Sequence, residues 1–310
     1  MRWFVVGSCI DLDLRLQLLG ETISCMSLSL FRTAFVGALL CVSPQARSQV
    51  VESSFALPVT VTDPYGRVVS QDVQITVFRD PAKARSPFLV LNHGRAVAPQ
   101  DRAKLGRARY SENSRYFVSL GYAVFVPTRI GYGVSGGPDV EDSGALCRNK
   151  NYPPAYEAGA KQTMDLTSHV KGLPYVDPSK GLVVGQSFGG TIAISIAAKN
   201  IPGVLATVNF AGGGGGNPET QPGRPCRPDL LGELFASYGA AAKQPTLWLY
   251  SENDLFMGKD APKEWYNLFR KAGGKGDFVQ LPAFGKDGHG SFSSNPSAWK
   301  PAFEAFLKSL

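Results

Sequence analysis

The chain has 310 residues, of which 44% are hydrophobic and 18% charged, and it carries a formal net charge of +7. Such a composition excludes a disordered or fibrous protein, and glycines and prolines that recur at no fixed period exclude a solenoid or propeller. The basic residues are scattered, without a run interleaved with aromatics, so nucleic-acid binding is not indicated.

The first fifty residues differ from the rest. Arg32 is followed by an apolar run from Thr33 to Val42 that is too short to span a bilayer, and Ala46-Arg47-Ser48 then places small residues three and one positions before Gln49. A basic flank, a short apolar core and a small-x-small end make a secretory signal peptide over about residues 26–48. Residues 1–25, with Asp11 and Asp13, do not suit a signal's basic start and read as an upstream extension. The expected mature chain is 49–310, exported to the periplasm or beyond. No later apolar stretch is long enough to cross a membrane, so stable membrane insertion is not expected.

Two strand-like stretches open the mature chain, residues 55–62 and 73–78, separated by the turn sequence Asp63-Pro64-Tyr65-Gly66. Residues 88–91 form a short continuous apolar run of the kind buried on both faces of a parallel sheet. A helix closed by Gly121 leads to a strand at 122–126, and a helix over 153–171 leads to a strand at 182–184. A helix over 188–199 and a strand at 204–210 follow. A strand at 247–250, a helix at about 262–272, a strand at 278–281 and a helix at about 297–308 complete the series. Strands alternating with helices predict one α/β domain, a mostly parallel sheet with helices on both faces and an antiparallel strand pair at its N-terminal side.

Residues 129–152 and 212–244 interrupt the alternation with long, Gly- and Pro-rich connections, which predicts lid-like loops. Outside the leader only Cys147 and Cys226 remain, one in each connection. In an exported protein two cysteines read as one disulfide, expected to staple the two loops over the mouth of a site. The run Gly212–Gly216 reads as a hinge rather than a phosphate cradle, since no Lys-Ser or Lys-Thr follows it.

Gly185-Gln186-Ser187-Phe188-Gly189 matches G-x-S-x-G between an apolar strand and a helix. That context exposes the serine hydroxyl on a tight turn, with helix N-terminal N–H groups beside it. Serine needs a base to take its proton, and beyond the leader the choice is His93, His169 or His289. His289 lies in a loop after the last strand and before the last helix, where the chain order Ser…Asp/Glu…His puts the base. Asp254, at the end of the strand over 247–250, is the expected acid; Glu252, Asp260 and Asp287 are its rivals. Asn92-His93-Gly94-Arg95 follows the strand over 88–91, so the main-chain N–H groups of Arg95 and Phe188 are the expected oxyanion donors. His93 reads as a residue that shapes this loop, and the Arg95 side chain as either a surface group or a holder of a polar substrate group. Tyr132 and Phe210 are candidates for an aromatic pocket, as are Tyr152, Tyr156 and Phe188.

Across roughly residues 70–310, these features resemble the α/β-hydrolase superfamily, in particular its dienelactone-hydrolase-like and prolyl-oligopeptidase-like members. The resemblance rests on His93-Gly94, on the segment Pro127–Gly133 ending at Ser135, on Gly185–Gly190, on Asp254 and on Asp287–Gly290. It implies acyl transfer to water without a metal or an organic cofactor. Dienelactone hydrolases proper use a cysteine where this chain has Ser187, so the subfamily name says little about substrate. A carboxylic ester, a small-molecule partner, is the expected substrate. A small peptidase or amidase is the alternative, and a non-catalytic binding protein on the same fold is the third reading. A haloalkane or epoxide hydrolase would need a carboxylate at position 187.

Overall fold

The computed structural model describes residues 49–310, so the expected signal peptide and upstream extension fall outside the described residues. The first two strands, β1 (Val51–Thr62) and β2 (Val68–Arg79), pair antiparallel in register from Val51 opposite Arg79 to Thr62 opposite Val68. Asp63 closes the turn between them: its Oδ1 accepts the N–H groups of Tyr65 and Arg67, both at 2.9 Å. The short polar side chain thereby satisfies main-chain donors that a tight turn leaves free.

β3 (Ser86–Asn92) is followed by the one-turn helix α1 (Pro99–Ala103), α2 (Ser111–Ser119), β4 (Ala123–Thr128) and α3 (Tyr152–Lys171). Next come β5 (Val176–Gln186), α4 (Phe188–Lys199), β6 (Val204–Phe210), α5 (Pro228–Ala241) and β7 (Pro245–Ser251). α6 (Ala261–Lys271), β8 (Lys275–Leu281), the single turn α7 (Ser291–Ser294) and α8 (Pro296–Lys308) end the chain. Among the described residues eight strands form one sheet in the order β1-β2-β4-β3-β5-β6-β7-β8. β2 meets β4 antiparallel, and every pairing from β4 through β8 is parallel.

Alternation along the central strands assigns side chains to two cores, because successive Cβ atoms point to opposite faces. Phe88, Val90, Phe125 and Val183 join the aromatic residues of α3, α5 and α6 in one cluster. Leu89, Leu91, Val124 and Val184 join Phe117, Trp299 and Phe303 in the other. Strands apolar on both faces therefore sit between two helical layers, as a parallel sheet requires.

Two elements depart from the pattern read in the sequence. β5 begins at Val176, six residues before the apolar run: Val176 and Asp177 pair with Ser86 and Pro87, and after a register shift between Pro87 and Phe88 the ladder resumes with Gly181 opposite Phe88. The connection over 212–244 contains the fourteen-residue helix α5. Pro228 opens that helix, where a missing N–H costs nothing. Its apolar positions Leu231, Leu234 and Phe235 are buried, and Phe235 packs against Trp248 and Trp265. The glycines and prolines that made this stretch look like a loop are concentrated in its first half.

Candidate active site

Ser187 sits where β5 turns into α4, with φ 57° and ψ −126°, in a region L-residues seldom occupy. The neighbouring glycines make the turn physically possible. A Cβ on Gly185 would stand 1.9 Å from the Gly189 carbonyl oxygen, and one on Gly189 would stand 2.3 Å from that of Asn92. The turn is fixed by the Ser187 N–H, which donates to Phe210 O at 2.8 Å, and by the Gly190 N–H, which donates to Ser187 O at 2.8 Å.

The parallel order β5-β6-β7-β8 sets the C-terminal ends of these strands side by side, the position at which open α/β sheets place their sites. The loop after β8 carries His289, whose Nε2 lies 2.9 Å from Ser187 Oγ, and the loop after β7 carries Asp254, whose Oδ2 lies 2.9 Å from His289 Nδ1. With Nδ1 protonated, the imidazole donates to the carboxylate and Nε2 accepts the serine proton. The other Asp254 oxygen, Oδ1, accepts the N–H groups of Phe256 at 2.8 Å and Met257 at 2.9 Å. Two of the three rival carboxylates are occupied elsewhere. Glu252 pairs with Lys259 at 3.2 Å. Asp287 Oδ1 accepts the N–H groups of Leu255 and His289, each at 2.9 Å, and so ties the acid's loop to the histidine's. That tie was not read from the sequence; an Asp two residues before the histidine was its only signal.

Gly94 lies against Ser187: a Cβ there would be 3.1 Å from Ser187 Cβ. This brings the start of the β3–α1 loop, including Arg95, to the same place as Phe188. The Arg95 guanidinium is held by both carboxylate oxygens of Asp139 and lies over the Phe188 ring, 6.0 Å from its centroid. Its charge is thus matched by Asp139, which also pairs with Arg102 at 2.9 Å.

A cavity of about 560 Å³ opens beside Ser187 and Phe188, bordered by Lys150, Phe256, the Cys147–Cys226 disulfide and the strip Gly213–Gly216. The volume falls within the ~300–1,000 Å³ of small-molecule sites. Of the aromatic candidates only Phe188 lines it. The Tyr132 hydroxyl turns into the protein to donate to Glu141 at 2.7 Å, and Phe210 packs against Phe292 and Trp299 on the opposite face of the sheet. Tyr152 and Tyr156 stand behind the glycine strip. A Cβ on Gly214 would be 2.5 Å from Tyr156 Oη, and one on Gly215 would be 2.3 Å from Tyr152 Oη. These glycines admit close packing of aromatic side chains, so the strip is a fitted wall rather than the hinge its composition suggested.

Beneath the β3 loop, Arg129 and Glu141 form a fully buried ion pair, and the Arg129 N–H donates to His93 Nε2 at 3.1 Å. His93 Nδ1 then donates to Gly94 O at 2.6 Å. Burial, reinforced by the Arg129 charge, pushes the His93 pKa well below the usual histidine value, so the ring is neutral. Below about pH 6.5 the unfolded chain binds a proton that folded His93 refuses, so stability falls as pH falls, by about 1.4 kcal/mol per unit. Thermal melts between about pH 6.5 and about pH 5 should show this slope, and His93→Gln should flatten it.

Among the described residues no group of three or more His, Cys, Asp or Glu could hold a metal ion, and no helix is long and apolar enough to cross a membrane. Residues 106–310 match the dienelactone hydrolase family. The chain belongs to that family. Among solved structures, the Pyrococcus horikoshii acylaminoacyl peptidase aligns at 14% identity and a TM-score of 0.53 over 83% of this chain and 41% of its own. The Pyrococcus furiosus esterase Pf2001 aligns at 14% identity and a TM-score of 0.52, over 82% of this chain and 90% of its own. The esterase Est22 aligns at 16% identity and a TM-score of 0.51, over 84% and 79%. At these identities the likeness is one of fold. No curated protein matches the chain.

Proposed function

We propose that this family member is an exported serine hydrolase that cleaves carboxylic esters through an acyl-enzyme. The observation that carries the reading is the chain of two 2.9 Å contacts from Ser187 Oγ through the His289 imidazole to Asp254 Oδ2. His289 Nε2 takes the hydroxyl proton as Ser187 Oγ attacks the ester carbonyl, and Asp254 stabilises the imidazolium that forms. The main-chain N–H groups of Arg95 and Phe188 receive the oxyanion, a role in which one donor is worth about 10²–10³ in rate. The imidazolium then returns its proton to the departing alkoxide, leaving Ser187 acylated. A water, deprotonated by His289, adds to the acyl carbon, and collapse releases the acid and the free serine. The disulfide between Cys147 and Cys226 supports an oxidising compartment, in keeping with the secretory leader.

The test uses residues 49–310 with p-nitrophenyl esters from acetate to laurate, alongside aminoacyl p-nitroanilides. Hydrolysis of esters, together with a fluorophosphonate adduct located by mass spectrometry on the peptide containing Ser187, is the expected result. Cleavage of anilides with esters left intact would move the assignment to a small peptidase or amidase. Absence of both turnover and adduct would favour a binding protein on the same fold.

A further inference from the structure

One face of the His289 imidazole is covered. The ring of Phe256 stacks on it with centroids 4.2 Å apart and planes inclined by 25°. The turn that holds Asp254 also holds the Phe256 main chain. The Phe256 N–H donates to Asp254 Oδ1, and the Gly258 N–H donates to Asp254 O at 3.0 Å. Behind Phe256 its main chain rests on the end of the glycine strip. A Cβ on Gly216 would stand 2.6 Å from the Phe256 carbonyl oxygen and 2.9 Å from its Cα. The phenyl ring itself is partly buried and borders the cavity that Ser187 opens into.

We propose that Phe256 is a positioning residue for the base, a shield that keeps water off the His289–Asp254 hydrogen bond and holds the imidazole plane toward Ser187. The inference rests on the serine-hydrolase reading above. Its physical basis is twofold. An aromatic face attracts a cation placed over it, so the ring favours the imidazolium that forms as Ser187 attacks. Replacing water on that side with carbon also lowers the local dielectric, which strengthens the charge-assisted bond to Asp254. This contact gives a reason for the terminal glycine of the strip: any side chain at position 216 would displace the Phe256 main chain.

The informative measurement is the far-downfield proton resonance of His289 Nδ1, followed with kcat in Phe256→Ala and Phe256→Tyr. Exposing the hydrogen bond accelerates exchange of this proton with water, whereas a role confined to packing would leave it sharp. Phe256→Ala is expected to broaden the resonance away and to lower kcat about ten-fold, in line with the loss of one desolvated cation–π contact. Phe256→Tyr is expected to restore both. A resonance as sharp as wild type in Phe256→Ala, or no recovery in Phe256→Tyr, would overturn the proposal. Should the alanine variant fail to fold, Phe256→Leu keeps the apolar volume but not the aromatic face; kcat reduced several-fold supports the proposal, and kcat equal to wild type overturns it. The resonance needs no substrate, so it separates this inference from the hydrolase reading, which turns on Ser187→Ala.

Discussion

Replacing Ser187 with alanine is expected to lower kcat on p-nitrophenyl esters by about 10⁶-fold while leaving the fold and the thermal midpoint close to wild type. The magnitude follows from the kind of group removed. In the proposed reaction the hydroxyl oxygen bonds to the substrate, and without it the surrounding residues would be left to stabilise a tetrahedral centre that no longer forms on the enzyme. Some acceleration over water should survive, about 10³–10⁴, from substrate binding and from the main-chain donors of the turn. The turn itself should persist, because it is held by main-chain bonds from Ser187 and Gly190 and by the close approach of Gly185 to Gly189, none of which uses the hydroxyl. Activity within a hundred-fold of wild type would mean that another group attacks the ester.

Asp254→Asn is expected to lower kcat by about 10⁴-fold with little change in KM. The reason lies in which oxygen does what. Asp254 Oδ1 already accepts two main-chain N–H groups, from Phe256 and Met257. An asparagine in the same pocket must put its carbonyl oxygen there, because an NH₂ group facing two donors would be left unpaired. Its NH₂ then faces His289 Nδ1 and donates to it, which forces the ring proton onto Nε2. In that tautomer Nε2 cannot accept the Ser187 proton. Steady-state kinetics at neutral pH provide the check, with circular dichroism to confirm that the loop survives. Turnover within ten-fold of wild type would return the acid's role to Glu252 or Asp287.

Much of this molecule is legible from local pattern. The nucleophile turn announces itself because its steric demand, small residues two positions to either side of a serine, falls within one short segment. Asp254 and His289 are readable as candidates because chain order and strand ends restrict where an acid and a base can stand. Helix α5 was hidden because glycine and proline at the start of its connection outweighed the apolar spacing further along. The pocket aromatics differ for a related reason: Tyr132 and Phe210 have the composition of a substrate wall, but one hydroxyl is drawn inward by buried Glu141 and the other ring completes a core with Trp299.

By itself, then, the sequence determined the alternation of strands and helices, the turn that can carry a serine, and the short menu of partners for it. The first two depend on residues within a turn or two of one another, and the third on the order of elements along the chain. Only the tertiary structure decided that Ser187 and His289, 102 residues apart, stand 2.9 Å from each other. It also decided that Gly213–Gly216 is a packed wall and that Phe256 covers one face of the His289 ring. Those facts depend on which strands lie side by side, and the sheet settles that through the burial of whole faces, which no local run of residues records.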